Sequence, residues 1–121
     1  MVTVDASALL AYLRNEPGSQ KVKQALDDGA TCSAANWSEV IQKTLQRGDD
    51  WNAAQQVLGA FDLVIEPVTR EDAELAASMW AGRPSLSLGD RLCLALAQRL
   101  GVIALTADSA WGESDTVEQI R

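Results

Sequence analysis

The sequence contains no histidine, one tyrosine, one phenylalanine, two cysteines and only ten basic residues against seventeen acidic ones. Without histidine, Ser-His-Asp catalysis, Cys-His catalysis and histidine-ligated zinc sites are all excluded. The cysteines, Cys32 and Cys93, lie in apolar segments and form no C-x-x-C motif, which indicates buried free thiols. Any acid–base or metal chemistry must therefore come from carboxylates.

Long hydrophobic runs are also missing. No apolar run approaches the roughly 20 residues of a membrane-spanning helix, and Asp5 interrupts the apolar start where a signal peptide would continue. We therefore expect no membrane segment and a cytoplasmic location. The net charge of −7, taken alone, argues against a nucleic-acid partner. That objection weakens if some acids hold metal ions, which would place positive charge where a phosphate binds.

The 121 residues, of which 47% are hydrophobic, fit one compact domain spanning 1–121. Predicted strands cover residues 2–4, 31–34, 63–65, 102–106 and 116–120. Predicted helices cover residues 7–15, 50–59, 71–80 and 87–100. A further helix contains Val22, Ala25 and Leu26 and stops at Asp28-Gly29, and another runs from Trp37 to near Gly48. This alternation predicts an α/β fold with a central, mainly parallel sheet of four to five strands and helices on both faces. We expect segments 63–65 and 102–105 to be buried on both sides, because they are apolar throughout.

Four acids lie beside predicted helix starts, and each has a purely structural explanation. Asp5 or Ser7 could cap the first helix, and Asp108 could cap a turn containing Trp111. The pairs Asn36-x-x-Glu39 and Ser87-x-x-Asp90 resemble capping boxes, the second more weakly. Taken singly, each acid is better explained as a cap than as a ligand.

Taken together, Asp5, Glu39, Asp90 and Asp108 favour a metal site. All four are predicted at β-to-α transitions, which gather at one edge of a parallel sheet. Glu39 and Asp90 are each predicted in the first turn of an apolar helix, where an unpaired acid is costly to desolvate. Clustered carboxylates suit a hard cation such as Mg²⁺ or Mn²⁺, and such ions support phosphoryl chemistry. This interpretation predicts a metal-dependent phosphodiesterase and makes Ser7 the better candidate for starting the first helix.

Four segments together resemble PIN-domain ribonucleases, specifically the VapC-type toxins of type II toxin–antitoxin systems: V-D-A-S, S-A-A-N-W-S-E-V, L-S-L-G-D-R-L-C-L-A-L-A and L-T-A-D-S-A-W. The resemblance runs from residue 1 to about residue 111. It implies a PIN-like three-layer α/β/α domain and RNA cleavage that depends on Mg²⁺ or, as a substitute, Mn²⁺. It also implies neutralisation by a cognate antitoxin protein and assembly as a homodimer or a toxin–antitoxin hetero-oligomer.

The resemblance also implies roles for individual residues. Asp5 and Asp90 match the principal metal ligands of the family, while Glu39 and Asp108 match its remaining catalytic acids. Ser7 and Thr106 match hydroxyl positions that hold these carboxylates, although a hydroxyl bonded to its own backbone is an equal alternative. Many relatives carry a further acid shortly after the one at Asp108, whereas Ser109, Ala110 and Trp111 follow here.

Arg91, next to Asp90, is the best candidate for contacting an RNA phosphate. A phosphorelay receiver is disfavoured because Asp5 stands alone after the first strand and all lysines lie in the first half. A haloacid-dehalogenase phosphatase would need a second Asp in place of Ser7. A catalytically weak PIN-like module that only binds a partner protein stays open as the alternative function.

Overall fold

The computed structural model describes residues 1–121 as five β-strands and six α-helices. The strands are β1 Val2–Val4, β2 Ala30–Ser33, β3 Val64–Glu66, β4 Ile103–Thr106 and β5 Val117–Gln119. The helices are α1 Ala6–Leu13, α2 Ser19–Asp27, α3 Ala34–Gln46, α4 Trp51–Gly59, α5 Arg70–Ser78 and α6 Leu88–Leu100. A short 3₁₀ turn, Ser109–Trp111, lies between β4 and β5. None of the helices has the length and apolar character that crossing a bilayer requires.

The strands form one sheet in the order β3-β2-β1-β4-β5, and every neighbouring pair is parallel. This confirms the predicted α/β fold with a central parallel sheet. The chain builds outward from β1 through β2 to β3 and then returns to the other side of β1 for β4. Such a reversal opens a crevice at the carboxyl ends of the two central strands. Asp5 follows β1 and Asp108 follows β4, so both lie at this crevice.

Helices cover both faces of the sheet. The evidence is that neighbouring side chains of β4 belong to two different hydrophobic clusters. Leu105 belongs to the cluster that Val4 shares with α1 and α2. Ala104 belongs to the cluster formed with α6, Trp111 and β5. This arrangement follows from the strand geometry, in which successive side chains point to opposite faces. Ala104, Leu105 and Thr106 are at most 1% exposed, which confirms that this strand is buried on both sides.

The prediction that residues 63–65 form a strand buried on both faces is wrong. The strand is Val64–Glu66, and it pairs only with β2, so it forms one edge of the sheet. Its first residue, Val64, is 50% exposed. An apolar run of three residues does not distinguish a central strand from an edge strand, since both need apolar contacts on at least one face.

Two predicted helix starts are also wrong. Helix α1 begins at Ala6 with Asp5, not Ser7, as its N-cap. Helix α3 begins at Ala34, because the Ser33 hydroxyl at the end of β2 accepts a hydrogen bond from the Ala35 amide at 3.2 Å. The Asn36–Glu39 capping box is therefore not formed, and Glu39 lies in the second turn of α3 instead of the first.

The other predicted caps agree with the structure. Ser87 and Asp90 form a reciprocal capping box at the start of α6. Asp108 caps the turn that contains Trp111. The glycine that follows the predicted helix 87–100, Gly101, ends α6 with a left-handed backbone conformation (φ 67°), as expected for a helix C-terminus. These signals are local in sequence, which is why they could be recognised before the fold was known.

Candidate active site

Asp5 lies where β1 ends and α1 begins, and it is 3% exposed. Its Oδ1 accepts a hydrogen bond from the Ala8 amide at 2.8 Å, which caps α1. The Ser7 hydroxyl lies 2.8 and 2.9 Å from the two carboxylate oxygens, and the Thr106 hydroxyl donates to Oδ2 at 2.6 Å. Asp5 is thus both a helix cap and a buried acid held by two hydroxyl groups.

Backbone amides fix the direction of these two hydroxyls. The Ala107 amide donates to Ser7 Oγ at 2.9 Å, and the Asp108 amide donates to Thr106 Oγ1 at 3.0 Å. Because each hydroxyl accepts from an amide, its own proton is directed to the Asp5 carboxylate. The residues after β4 are thereby coupled to the residue after β1. Ser7 and Thr106 bond across to Asp5 and not only to their own backbone.

No positive charge compensates Asp5. None of the lysine or arginine side chains lies within salt-bridge distance of its carboxylate. Burial raises the pKa of Asp5 to about 6, and the nearby Asp90 charge adds to the rise, while hydrogen bonds from Thr106, Ala8 and Ser7 oppose it. A buried carboxylate with a second negative charge nearby is a favourable position for a bound cation, because the cation offsets both charges.

Asp90 is the third helical residue of α6 and is half-buried. Its Oδ2 accepts a hydrogen bond from the Ser87 amide at 2.9 Å, while its own amide donates to Ser87 Oγ at 3.1 Å. The capping box leaves the other oxygen, Oδ1, without a hydrogen-bond partner. Asp90 therefore fixes the start of α6 and keeps one oxygen free, near enough to Asp5 to affect its pKa.

Glu39 approaches the start of α6 from α3. Its Oε1 lies close to Gly89, where a Cβ atom would be only 3.2 Å from it. Its Oε2 lies 2.9 Å from Lys43 Nζ, one turn further along α3. The buried Asn36 fastens the two helices, because its Nδ2 donates to the Gly89 carbonyl at 3.0 Å. A residue without a side chain at position 89 thus lets Glu39 lie beside the segment that carries Asp90.

Asp108 is half-buried at the start of the 3₁₀ turn. Its Oδ1 accepts a hydrogen bond from the Ala110 amide at 2.9 Å, and its backbone is tied to Asp5 through Thr106. The side chain of Gln119 on β5 donates to the Asp108 carbonyl at 2.8 Å. Asp108 is therefore connected to Asp5 by backbone contacts, while its carboxylate is engaged in capping.

The four carboxylates do not converge on one point. No three acidic or cysteine side chains lie close enough to share one metal ion. Each of the three acids other than Asp5 is directed to a local partner: Asp90 to the Ser87 amide, Glu39 to Lys43 and Asp108 to the Ala110 amide. The structure thus brings Asp5 and Asp90 close enough to interact electrostatically, places Glu39 beside Gly89 and links the Asp108 backbone to Asp5 through Thr106.

The donor set fits a hard divalent cation. Every available ligand is a carboxylate oxygen, and burial raises the pKa of Cys32 and Cys93, so their thiols stay protonated. Mg²⁺ is commonly held by one or two carboxylates and keeps several of its waters, so it does not require all four acids to converge. The uncompensated charge of the buried Asp5 is the structural observation that matches such an ion.

Arg91 takes a different direction from the one predicted. Its Nη1 donates to the Ala76 carbonyl at the end of α5 at 2.8 Å, and its Nε is buried without a partner. Consecutive helical residues point about 100° apart, so adjacency to Asp90 in sequence does not place Arg91 at the acids. The contact with RNA stays a prediction, and the contact in the structure joins α6 to α5.

Three residues that contact the site were not identified from the sequence. Asn36 positions α3 against Gly89, Lys43 neutralises Glu39, and Gln119 holds the backbone of Asp108. The i, i+4 spacing of Glu39 and Lys43 is a signal that could have been recognised. The other two contacts join segments that are far apart in sequence, for which one sequence contains no signal.

Comparison with known proteins agrees with this description. The PIN domain family matches residues 2–115. Ribonuclease VapC42 of Mycobacterium tuberculosis is 31% identical over 109 residues, which covers 81% of this chain and 83% of the relative.

Two solved structures share the fold at 18% identity. A toxin–antitoxin complex from Klebsiella pneumoniae gives a TM-score of 0.78 and covers 100% of this chain and 98% of the matched chain. VapC20 of Mycobacterium tuberculosis, described as a toxin that cleaves the sarcin–ricin loop, gives a TM-score of 0.72 and covers 95% and 98%. The chain therefore belongs to the PIN-domain family and, within it, to the VapC-type proteins.

Proposed function

We propose that this protein is a cytoplasmic, Mg²⁺-dependent endoribonuclease toxin that cleaves RNA phosphodiester bonds at the crevice between β1 and β4. The observation that carries the proposal is Asp5, a buried carboxylate with a raised pKa and no cationic partner at the switch point of the sheet. In open parallel sheets this is the place where ligands bind. A carboxylate kept there without a counter-charge costs stability and is retained where it has a function.

The relatives support the substrate class. VapC42 is named a ribonuclease, and VapC20 is described as a toxin that cleaves the sarcin–ricin loop. The Klebsiella protein was solved in a toxin–antitoxin complex. We therefore propose RNA as the substrate, a cognate antitoxin as the inhibitor, and a homodimer or toxin–antitoxin hetero-oligomer as the assembly. The net charge of −7 favours a basic antitoxin segment over the site.

The residues of the chain have distinct roles in the proposed mechanism. Asp5 and Asp90 would hold Mg²⁺, with Glu39 and Asp108 as the flanking acids of the same site. When bound, the ion supplies a water of lowered pKa and stabilises the charge on the displaced oxygen of the phosphodiester. Ser7 and Thr106 keep the Asp5 carboxylate in one orientation by hydrogen bonding both of its oxygens.

The capping interactions also contribute to the proposed mechanism. The Ser87–Asp90 capping box fixes the backbone of Asp90 while leaving Oδ1 free. A carboxylate that is already oriented loses less conformational entropy on binding a ligand. Lys43 lies beside Glu39 with its side chain 47% exposed, so it provides a positive charge at the edge of the site that a phosphate can approach.

The proposal is tested by measuring Mn²⁺ binding by calorimetry and RNA cleavage for the wild type, Asp5→Asn and Asp90→Asn. We expect both variants to lose Mn²⁺ binding and to cleave RNA at least about 100-fold more slowly. EDTA should stop cleavage, and Mg²⁺ or Mn²⁺ should restore it. Asp27→Asn is the matched control, because it removes an exposed carboxylate of α2 that pairs only with Lys23.

Unchanged Mn²⁺ binding in both variants would sink the metal site. Cleavage that survives EDTA would sink the metal-dependent mechanism even if an ion binds.

The second candidate function is a catalytically weak interaction module. It is favoured by one observation, namely that no three acids converge in the structure. A protein that binds Mn²⁺ through Asp5 and Asp90 but leaves RNA intact under all metal conditions would support this alternative. Metal-dependent cleavage that Asp5→Asn abolishes would exclude it.

A further inference from the structure

The loop that follows β4 carries Asp108, and a side chain from β5 holds it. Gln119 Nε2 donates one hydrogen bond to the Asp108 carbonyl at 2.8 Å and another to the Gly112 carbonyl at 2.9 Å. These carbonyls belong to the residues that begin and end the 3₁₀ turn. Both protons of one amide are thus used to close the turn from its two ends.

The turn itself is poorly suited to hold its shape alone. It contains three residues, and it ends at Gly112 with φ 65° and ψ −159°, a conformation that is essentially restricted to glycine. Trp111 anchors one side by packing into the core. The other anchor is the Gln119 amide, and because Gln119 is half-buried its hydrogen bonds are partly shielded from water.

Hydrogen bonds connect Gln119 to Asp5 through the backbone of Asp108 and the side chain of Thr106. The peptide groups on either side of Asp108 are held from two directions, its carbonyl by Gln119 and its amide by Thr106 at 3.0 Å. Thr106 in turn donates to Asp5 at 2.6 Å. With both neighbouring peptide planes fixed, the direction in which the Asp108 side chain leaves the backbone is fixed as well.

We propose that Gln119 is a positioning residue that sets the orientation of Asp108 relative to Asp5. The inference rests on the proposed function, because it takes Asp108 as part of the metal and substrate site. Gln119 acts through the backbone carbonyls of Asp108 and Gly112 and does not touch substrate. The other side-chain hydrogen bonds of this loop are to its amides, so Gln119 is the residue whose side chain donates to its carbonyls.

The test compares Gln119→Met with Glu118→Gln in the full-length protein. Methionine keeps the length of the side chain and removes both donors. Glu118 is the neighbouring residue on β5, points to the other face and pairs with Lys21 at 2.6 Å, so its variant disturbs the same strand without touching the loop. Gln119→Glu is the second variant, since it keeps the shape but places a carboxylate oxygen against two carbonyl oxygens.

Three readouts separate positioning from a general structural role. We expect Gln119→Met to weaken Mn²⁺ binding about tenfold and to lower kcat by a similar factor while leaving KM for RNA nearly unchanged. Amide hydrogen exchange should accelerate in residues 107–112 and stay unchanged in β1. Glu118→Gln should match the wild type in all three measurements, and Gln119→Glu should reproduce or exceed the effect of methionine.

Wild-type Mn²⁺ affinity and wild-type exchange in Gln119→Met would overturn the inference. Equal losses in Gln119→Met and Glu118→Gln would also overturn it, because they would assign the effect to β5 as a whole. Asp108→Asn separates this failure from that of the proposed function. If Asp108→Asn abolishes cleavage while Gln119→Met leaves cleavage at the wild-type rate, only the positioning role fails. If neither variant changes metal binding or cleavage, Asp108 lies outside the site.

Discussion

Two carboxylates in this molecule are buried to the same extent and have opposite environments. Asp5 and Asp72 are each 3% exposed, and each lies at the start of a helix. Each accepts a backbone amide hydrogen bond, Asp5 from Ala8 and Asp72 from Thr69. Solvent exposure and helix position therefore do not distinguish them.

Their partners do. Arg99 donates to both oxygens of Asp72, Nε to Oδ1 at 2.8 Å and Nη2 to Oδ2 at 3.1 Å. Burial raises the pKa of Asp72, but the hydrogen bonds from Arg99 and Thr69 and the charge of Arg99 outweigh it, so the pKa lies below its ordinary value. Asp5 has hydroxyl and amide donors only, and burial raises its pKa to about 6.

Helix α6 serves both carboxylates in opposite ways. Its last turn supplies Arg99, the cation that neutralises Asp72, and its first turn carries Asp90, a second negative charge near Asp5. The chain thus provides a counter-charge where a buried acid stabilises the fold and withholds one where the proposed site lies. Under the proposed function, the missing counter-charge distinguishes the acid of the site from the acid that stabilises the fold.

The strongest test of this comparison is Arg99→Met, which leaves Asp72 buried without its counter-charge. We expect the free energy of unfolding to fall by about 3 kcal/mol at pH 7, measured by urea denaturation, with Mn²⁺ affinity unchanged. Arg70→Met is the control, because Arg70 pairs with Glu74 on the surface with side chains 87% and 63% exposed and should change stability by less than about 0.5 kcal/mol. A loss of metal binding in Arg99→Met would show that the two regions are not independent.

The pH dependence of stability should also differ between the two acids. In metal-free protein, folded Asp5 binds its proton more tightly than unfolded Asp5, so the free energy of unfolding should fall between about pH 4 and pH 6 and then level off. Asp5→Asn should remove this decline, an effect on the order of 3 kcal/mol. Urea denaturation in EDTA at several pH values measures it, and parallel pH profiles for the two proteins would contradict the raised pKa.

The contribution of Asp72 to the free energy of unfolding has the opposite pH dependence. Its folded-state pKa is lowered, so its stabilising contribution is complete above the ordinary pKa of about 4 and is lost as pH falls through the lowered value. The same titration series, extended below pH 4, should therefore show a stability loss in the wild type that Asp5→Asn retains. That shared loss is the internal control for the Asp5 profile.

The smallest expected effect concerns Glu39, the only one of the four acids with a cation in contact. Lys43→Gln removes an exposed i, i+4 pair, so stability should change by only about 0.3 to 0.5 kcal/mol. Mn²⁺ binding should tighten slightly, because Glu39 then lacks a competing positive charge. Weaker Mn²⁺ binding in calorimetry would show instead that Lys43 holds Glu39 in its productive position.

Local features of this fold could be predicted from the sequence. The capping box of Ser87 and Asp90, the left-handed Gly101 and the buried strand before Asp108 all depend on residues within a few positions of one another. From the sequence, Asp5 is predicted to be a metal ligand and Ser7 to start the first helix. In the structure Asp5 itself caps the helix through Oδ1, which accepts from the Ala8 amide, while Oδ2 accepts from the Thr106 hydroxyl.

Long-range features could not be predicted. The order of the strands decides that segment 63–65 lies at an edge, and no local pattern encodes it. Arg91 points to Ala76 because of the helix phase relative to α5, which adjacency to Asp90 does not reveal. Gln119 belongs to a three-residue strand without a motif, so its contact with Asp108 becomes visible only when β5 is placed beside β4.

The central position of β1 has a consequence for how the protein is made. Strand β1 pairs with β4, and the Thr106 hydroxyl, which donates to Asp5, lies 101 positions later in the sequence. Contacts of such sequence separation form late and slow folding. Ser7 and Ala8 contact the Asp5 carboxylate from the neighbouring chain, whereas the Thr106 hydroxyl can reach it only after the chain through β4 has been synthesised. In the proposed nuclease, a chain that ends before residue 106 therefore lacks a hydroxyl that orients the Asp5 carboxylate.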